Sequence, residues 1–126
     1  MTTWTVLLVD DDSEFRESLR DLLAGEGHRV VCARDGSDAV AAMRAHRPDV
    51  VLLDYVMPRV DGASLVKSLR ESESTRDIAI VMISGLPEEM VRPVCEGYDV
   101  YLPKPVQPDE LLRALDESVR RRSAAG

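Results

Sequence analysis

The chain has 126 residues, 44% of them hydrophobic but only 4% aromatic, and 23 acidic against 16 basic side chains give a formal net charge of −7. That length suits one domain with a real core, and the acid excess and aromatic scarcity argue against a nucleic-acid binder that works by charge or by base stacking. No uncharged span is long enough to cross a bilayer, and no basic run at Met1 to Trp4 leads into a long apolar stretch, so a cytoplasmic protein without membrane contact is expected.

In chain order, five short apolar runs alternate with helical patterns, the mark of repeated βα units around a parallel sheet. The runs are Thr5 to Val9, Arg29 to Ala33, Val50 to Leu53, Ile78 to Ile83 and Val100 to Leu102. Continuous apolarity in the first, third and fourth predicts strands covered on both faces. After the first run, Phe15, Leu19, Leu22 and Leu23 repeat at helical spacing behind a Ser13 cap, with Gly25 and Gly27 as the stop. The second helix is predicted from about Ser37 to His46, with Val40 and Met43 inward and Pro48 beyond its end. A third follows Gly62 with Leu65, Val66 and Leu69 on one face. A fourth has room only between Glu88 and Glu96, where Pro93 costs a helix about 3 kcal/mol or more, so it is expected to be short, broken or mobile. The fifth starts at Pro108 and turns Leu111, Leu112, Leu115 and Val119 inward. Residues of about 4–120 form the expected ordered core, with a tail over Arg120 to Gly126 that should fray. Cys32 and Cys95 form no C-x-x-C pair and read as small buried thiols. His28 and His46 have no partner at metal-ligand spacing and read as surface residues.

The polar residues that stand out each follow a strand: Asp10 and Asp11 after the first, Asp54 after the third, Ser84 after the fourth and Lys104 just beyond the fifth. In doubly wound α/β folds ligands bind at that edge, and a strand order of 2-1-3-4-5 would bring Asp10, Asp11 and Asp54 together where the winding reverses. Two unit charges about 4 Å apart repel by roughly 4 kcal/mol at an effective dielectric of about 20, so a cation must offset them. A hard divalent ion such as Mg²⁺, held by one or two carboxylates, waters and a phosphate oxygen, suits such a site. The plainer reading of Asp10 to Asp12 is an acidic helix start, which Asp12 or Ser13 alone could supply, leaving Asp10 unexplained. A strand-end carboxylate is a natural nucleophile toward phosphorus, and a metal, a hydroxyl and an ammonium around Asp54 would suffice for phosphoryl transfer. Only two of the 16 basic residues are lysines, and one of them, Lys104, stands between Pro103 and Pro105, a rigid frame for a directed ammonium. Ser84 alone is as readily a loop-capping hydroxyl.

These residues resemble the receiver domains of bacterial two-component response regulators over essentially the whole chain. The matching pieces are V-D-D at Val9 to Asp11, D-x-x-M-P-x-x-D-G at Asp54 to Gly62, Ser84 with Gly85, and K-P at Lys104 and Pro105. The resemblance implies a single flavodoxin-like domain over residues 1–126, a doubly wound five-stranded parallel sheet of order 2-1-3-4-5. It implies that Asp54 accepts a phosphoryl group from a sensor histidine kinase or a phosphotransfer protein. Mg²⁺ would be bound by Asp11 and Asp54, by the Val56 backbone carbonyl, and by Asp10 through water. Ser84 and Lys104 would contact the phosphoryl oxygens, the peptide before Pro105 would be cis, and Ser84 with Tyr101 would form the switch. Tyr101 is equally well read as a half-buried aromatic on an edge strand. The chain departs from the family pattern at Val56, where many relatives are polar, in the slightly short stretch from Ser84 to Lys104, and at Val106.

The expected output is contact with a downstream protein by a monomer or a phosphorylation-dependent dimer, without direct nucleic-acid binding. Such a domain is regulatory, assisting its own phosphorylation and dephosphorylation rather than turning over substrate. A phosphorelay shuttle or phosphate sink is the alternative, and an Asp-nucleophile phosphatase the remote one, since the chain has no room for a substrate-selecting cap.

Overall fold

The computed structural model describes residues 2–54, 56, 57 and 60–125. Its order is β1 (Thr5–Val9), α1 (Ser13–Gly25), β2 (Arg29–Ala33), α2 (Gly36–His46), β3 (Val50–Asp54), the short β4 (Val56–Met57) and β5 (Val60–Asp61), α3 (Gly62–Glu71), β6 (Ala79–Ser84), α4 (Glu88–Val91), β7 (Val100–Pro103) and α5 (Pro108–Ala125). Five strands form one parallel sheet in the order β2-β1-β3-β6-β7, which is 2-1-3-4-5 when those five alone are counted. β4 and β5 pair antiparallel as a separate two-stranded ribbon.

The central strands are buried on both faces because helices cover both. Leu7, Val9, Val51, Leu53, Ile80 and Met82 face α2, α3 and α4, meeting Ala39, Met43, Leu65, Val66, Leu69, Val91 and Cys95. Val6, Leu8, Val50, Leu52, Val81 and Ile83 face α1 and α5, meeting Leu19, Leu23, Leu111, Ala114 and Leu115. Alternation is thus present in space but invisible in the sequence, since both parities are apolar.

Several local expectations are corrected. The cap of α1 is Asp12, not Ser13: its carboxylate accepts the Glu14 and Phe15 N–H groups, and a charged acceptor also complements the helix dipole. In α2, Ala39 and Met43 turn inward while Val40 is exposed. Arg47, in left-handed backbone with φ 45°, ends that helix. Cys95 is buried as expected, but Cys32 is exposed because β2 is an edge strand. His28 is buried rather than on the surface, and its Nδ1 accepts the Trp4 N–H at 2.9 Å. The Trp4 indole N–H donates to Asp116 at 2.8 Å, tying the start of β1 to α5.

α5 stays helical to Ala125, across the stretch expected to fray. Asp99, just before β7, supplies the reason. Its carboxylate accepts from Arg122 at 2.7 Å, from Arg70 at 3.0 Å and from the Ile80 N–H at 2.8 Å, and Arg121 donates to its carbonyl. Arg70 also donates to the carbonyls of Gly97, Arg76 and Ile78.

α4 is a single turn, as Pro93 requires. The chain then runs over α3 through Gly97, whose φ of 105° favours glycine and whose place a Cβ would fill at 3.0 Å from Val66 and 3.2 Å from Arg70. A groove of about 650 Å³ opens between α3 and residues 93–97.

Candidate functional site

Sheet register assembles the site. Val9 pairs with Leu53, so Asp10 and Asp54 leave neighbouring strands side by side. Asp54 pairs with Ile83 and Ser84 with Pro103, which sets Ser84 and Lys104 next in the row. The Lys104 N–H donates to the Ser84 carbonyl at 2.8 Å, and the Lys104–Pro105 peptide is cis. The Lys104 Nζ reaches back across the edge to Asp54 Oδ2 at 2.6 Å. Asp54 is nearly buried while the lysine side chain is 35% exposed, so the ammonium closes the pocket from the solvent side.

Asp10 is more deeply placed. One carboxylate oxygen accepts the Asp12 N–H at 2.9 Å. The other, Oδ2, is buried with no hydrogen-bond partner among the described residues. Burial, helped by the charges of Asp54 and Asp11 and opposed by the Asp12 N–H and Lys104, pushes the Asp10 carboxyl up from 3.8 to about 6.

That unpartnered oxygen is the test for a divalent cation. Buried polar atoms in native folds nearly always have a partner, and a buried carboxylate oxygen under the charges of Asp54 and Asp11 fits one supplied from outside the chain. Among the described residues no three His, Cys, Asp or Glu side chains stand together as a ready metal cage. Val56 opens β4 two residues past Asp54, while Tyr55, Pro58 and Arg59 of the motif lie outside the described residues.

Ser84 is fully buried, and its Oγ accepts the Leu86 N–H at 3.0 Å. The Leu86 carbonyl in turn accepts the Tyr101 hydroxyl. Tyr101 is half-buried, its ring 5.8 Å from that of Tyr98, and the Tyr98 hydroxyl donates to Glu88 of α4 at 2.8 Å. A continuous chain of contacts thus runs from Ser84 to α4.

Two residues of the site went unread in the sequence. The Lys104 Nζ lies 4.5 Å from the centroid of the Phe15 ring, and Arg16 donates to the Asp10 carbonyl at 2.6 Å. Phe15 carries the apolar spacing of α1, and nothing in one sequence separates a ring facing the core from one that also faces an ammonium.

A row of strand-end carboxylates closed by one lysine, on this topology, defines a class of doubly wound α/β domains with an acidic site at the carboxyl edge of the sheet. The chain belongs to the response regulator receiver domain family, whose family model matches residues 6–116. It is 39% identical over 118 residues to the response regulator MprA of Mycobacterium sp. (strain KMS), an alignment covering 94% of this chain and 51% of that protein. The chain therefore spans about half the length of the curated relatives it matches. It superposes on a CheY-like receiver domain from Methanospirillum hungatei JF-1 with a TM-score of 0.85 at 25% identity, covering 99% of this chain and all of that one. A response regulator structure from Chloroflexus aurantiacus J-10-fl gives 0.86 at 30% identity, covering 95% of this chain and 100% of the other. A receiver domain is a regulatory domain. Among the described residues no helix is long and apolar enough to cross a membrane.

Proposed function

We propose that the chain is a single cytoplasmic receiver domain, residues 1–126, that accepts a phosphoryl group on Asp54 from a histidine kinase or phosphotransfer protein and signals by contact with a downstream protein. The observation that carries this reading is the Lys104 ammonium 2.6 Å from Asp54 Oδ2 beside the unpartnered buried oxygen of Asp10.

An Asp54 carboxylate oxygen attacks phosphorus, and the donor's bond to phosphorus breaks with its electron pair leaving on the donor. Lys104 then pairs with the phosphoryl oxygens, and the Ser84 hydroxyl turns from the Leu86 N–H to hydrogen-bond them. Asp11, Asp54 and the Val56 carbonyl would hold Mg²⁺, with Asp10 acting through water. The ion, when bound, supplies positive charge that offsets the carboxylates and the incoming phosphoryl group. Release of Leu86 by Ser84 loosens the bond from Tyr101 to the Leu86 carbonyl, and Tyr101 changes rotamer, which alters the face formed by α4 and β7.

The test is to incubate the protein with acetyl phosphate, with and without Mg²⁺, and follow intact mass. One phosphoryl group is expected to add only with Mg²⁺ and not at all in Asp54→Asn. No adduct on the unmodified chain overturns the reading, and multiple turnover of unrelated phosphate esters would instead favour a phosphatase.

A further inference from the structure

The strand ends supply the acids, the hydroxyl and the ammonium, but α1 supplies a contact that none of them provides. The Lys104 Nζ lies 4.5 Å from the Phe15 ring centroid, well inside the distance of about 6 Å at which a ring face attracts an ammonium. We propose that Phe15 is a positioning residue for phosphoryl transfer, its ring face holding the Lys104 ammonium over the pocket while the charge on Asp54 moves outward. This rests on Asp54 being the phosphoacceptor.

Lysine is a compact charge on a long flexible stem. Pro103 and Pro105 fix the backbone at Lys104 but not the end of that stem. The ion pair with Asp54 restrains it only while Asp54 is a carboxylate. During transfer one Asp54 oxygen gives an electron pair to the new P–O bond as the donor's bond to phosphorus breaks, and the leaving group departs with its electrons. Asp54 becomes a neutral acyl group, and negative charge now lies on the phosphoryl oxygens. A lysine held by the carboxylate alone would lose its restraint at the moment it has to change partner. The quadrupole of the Phe15 ring is untouched by the reaction, so its attraction persists on both sides of the step. The ring itself is set by packing, since half-buried Phe15 lies against the cluster of Leu19, Leu23 and Leu111 between the sheet and α1 with α5. Leucine would fill similar space without a face of negative potential.

The experiment has two readouts. NMR relaxation of the Lys104 side chain in the unphosphorylated protein, compared between the unmodified chain and Phe15 variants with the Asp54 ion pair intact in each, reports the share of its restraint that the ring supplies. The rate of adduct formation on Asp54 with acetyl phosphate and Mg²⁺ reports its use. Phe15→Leu is expected to increase Lys104 mobility and slow the adduct about three- to fivefold, and Phe15→Tyr to restore both. In a Lys104→Ala background Phe15→Leu should have no further effect on the rate, the signature of residues that act as a pair. Should Phe15→Leu fail to fold, Phe15→Met carries the same comparison. Unchanged Lys104 mobility with an unchanged rate overturns the proposal, as does a loss of the same size in the Lys104→Ala background, which would mark Phe15 as purely structural. If the unmodified protein forms no adduct although Phe15→Leu loosens Lys104, the receiver reading has failed and takes the positioning role with it, the ring contact remaining as packing only.

Discussion

Burial and the neighbouring charges of Asp54 and Asp11 push the Asp10 carboxyl up to about 6, against 3.8 for a free side chain. Between those values the folded protein holds a proton that the unfolded chain has released. The Asp10 contribution to metal-free stability should therefore be fully present below pH 4 and be lost as pH rises through 6, where ionised Asp10 leaves an oxygen buried and unmatched. Asp10→Asn is expected to match the unmodified protein near pH 4 in thermal melts with chelator. At pH 7.5 it should be the more stable by about 1–3 kcal/mol, and a lower melting temperature there would contradict the assignment. The gathering of Asp10, Asp54, Ser84 and Lys104 at one sheet edge was legible in the sequence because each stands at the end of an apolar run. His28 was not: Gly27 beside it signals a turn, and the acceptor role of its ring depends on Trp4, far off in the chain.

At the scale of elements, β7 and the end of α5 depend on Asp99. Removing one partner of a buried ion pair leaves the others uncompensated, typically at a cost of about 3–5 kcal/mol, and Asp99 has two such partners, Arg70 and Arg122. Asp99→Ala should lower the urea unfolding free energy by about 3 kcal/mol and speed amide exchange in the last two turns of α5. A loss under about 1 kcal/mol would show that the arginines find solvent instead. α4 is the opposite case. Only Val91 of its four residues is buried, Met90 and Val94 are 61% and 62% exposed, and the Glu88–Arg92 pair at 2.8 Å lies on the surface. Amides of 88–96 should exchange faster than those of α3 and α5, whereas uniform strong protection there would count against a weak fourth helix. Pro93 made the break in α4 readable in advance. The persistence of α5 to Ala125 was not, because the arginines that look like a solvated tail are held by an aspartate before another strand.

For the molecule as a whole, both cores share one sheet, so neither can be lost alone. Leu52 and Leu53 are adjacent in β3, fully buried, and on opposite faces. Leu52→Ala and Leu53→Ala should each cost about 2–5 kcal/mol while preserving a single transition in far-ultraviolet circular dichroism against urea. Two separated transitions would mean that the layers unfold independently. The alternation of runs and helical patterns conveyed the layer order and the resemblance conveyed the strand order. Which apolar residue faces which layer stayed hidden, since Val50 to Leu53 are apolar at every position.

The bond between Trp4 and Asp116 bears on how the molecule can be watched. Trp4 is the single tryptophan, and it sits at the opposite end of β1 from Asp10, about 20 Å away at roughly 3.3 Å per strand residue. Native indole emission will register separation of the first strand from the last helix but stay silent to the chemistry proposed at Asp54. On the proposed route from Ser84 to α4, a fluorophore near Tyr98 or Met90 is the better-placed reporter.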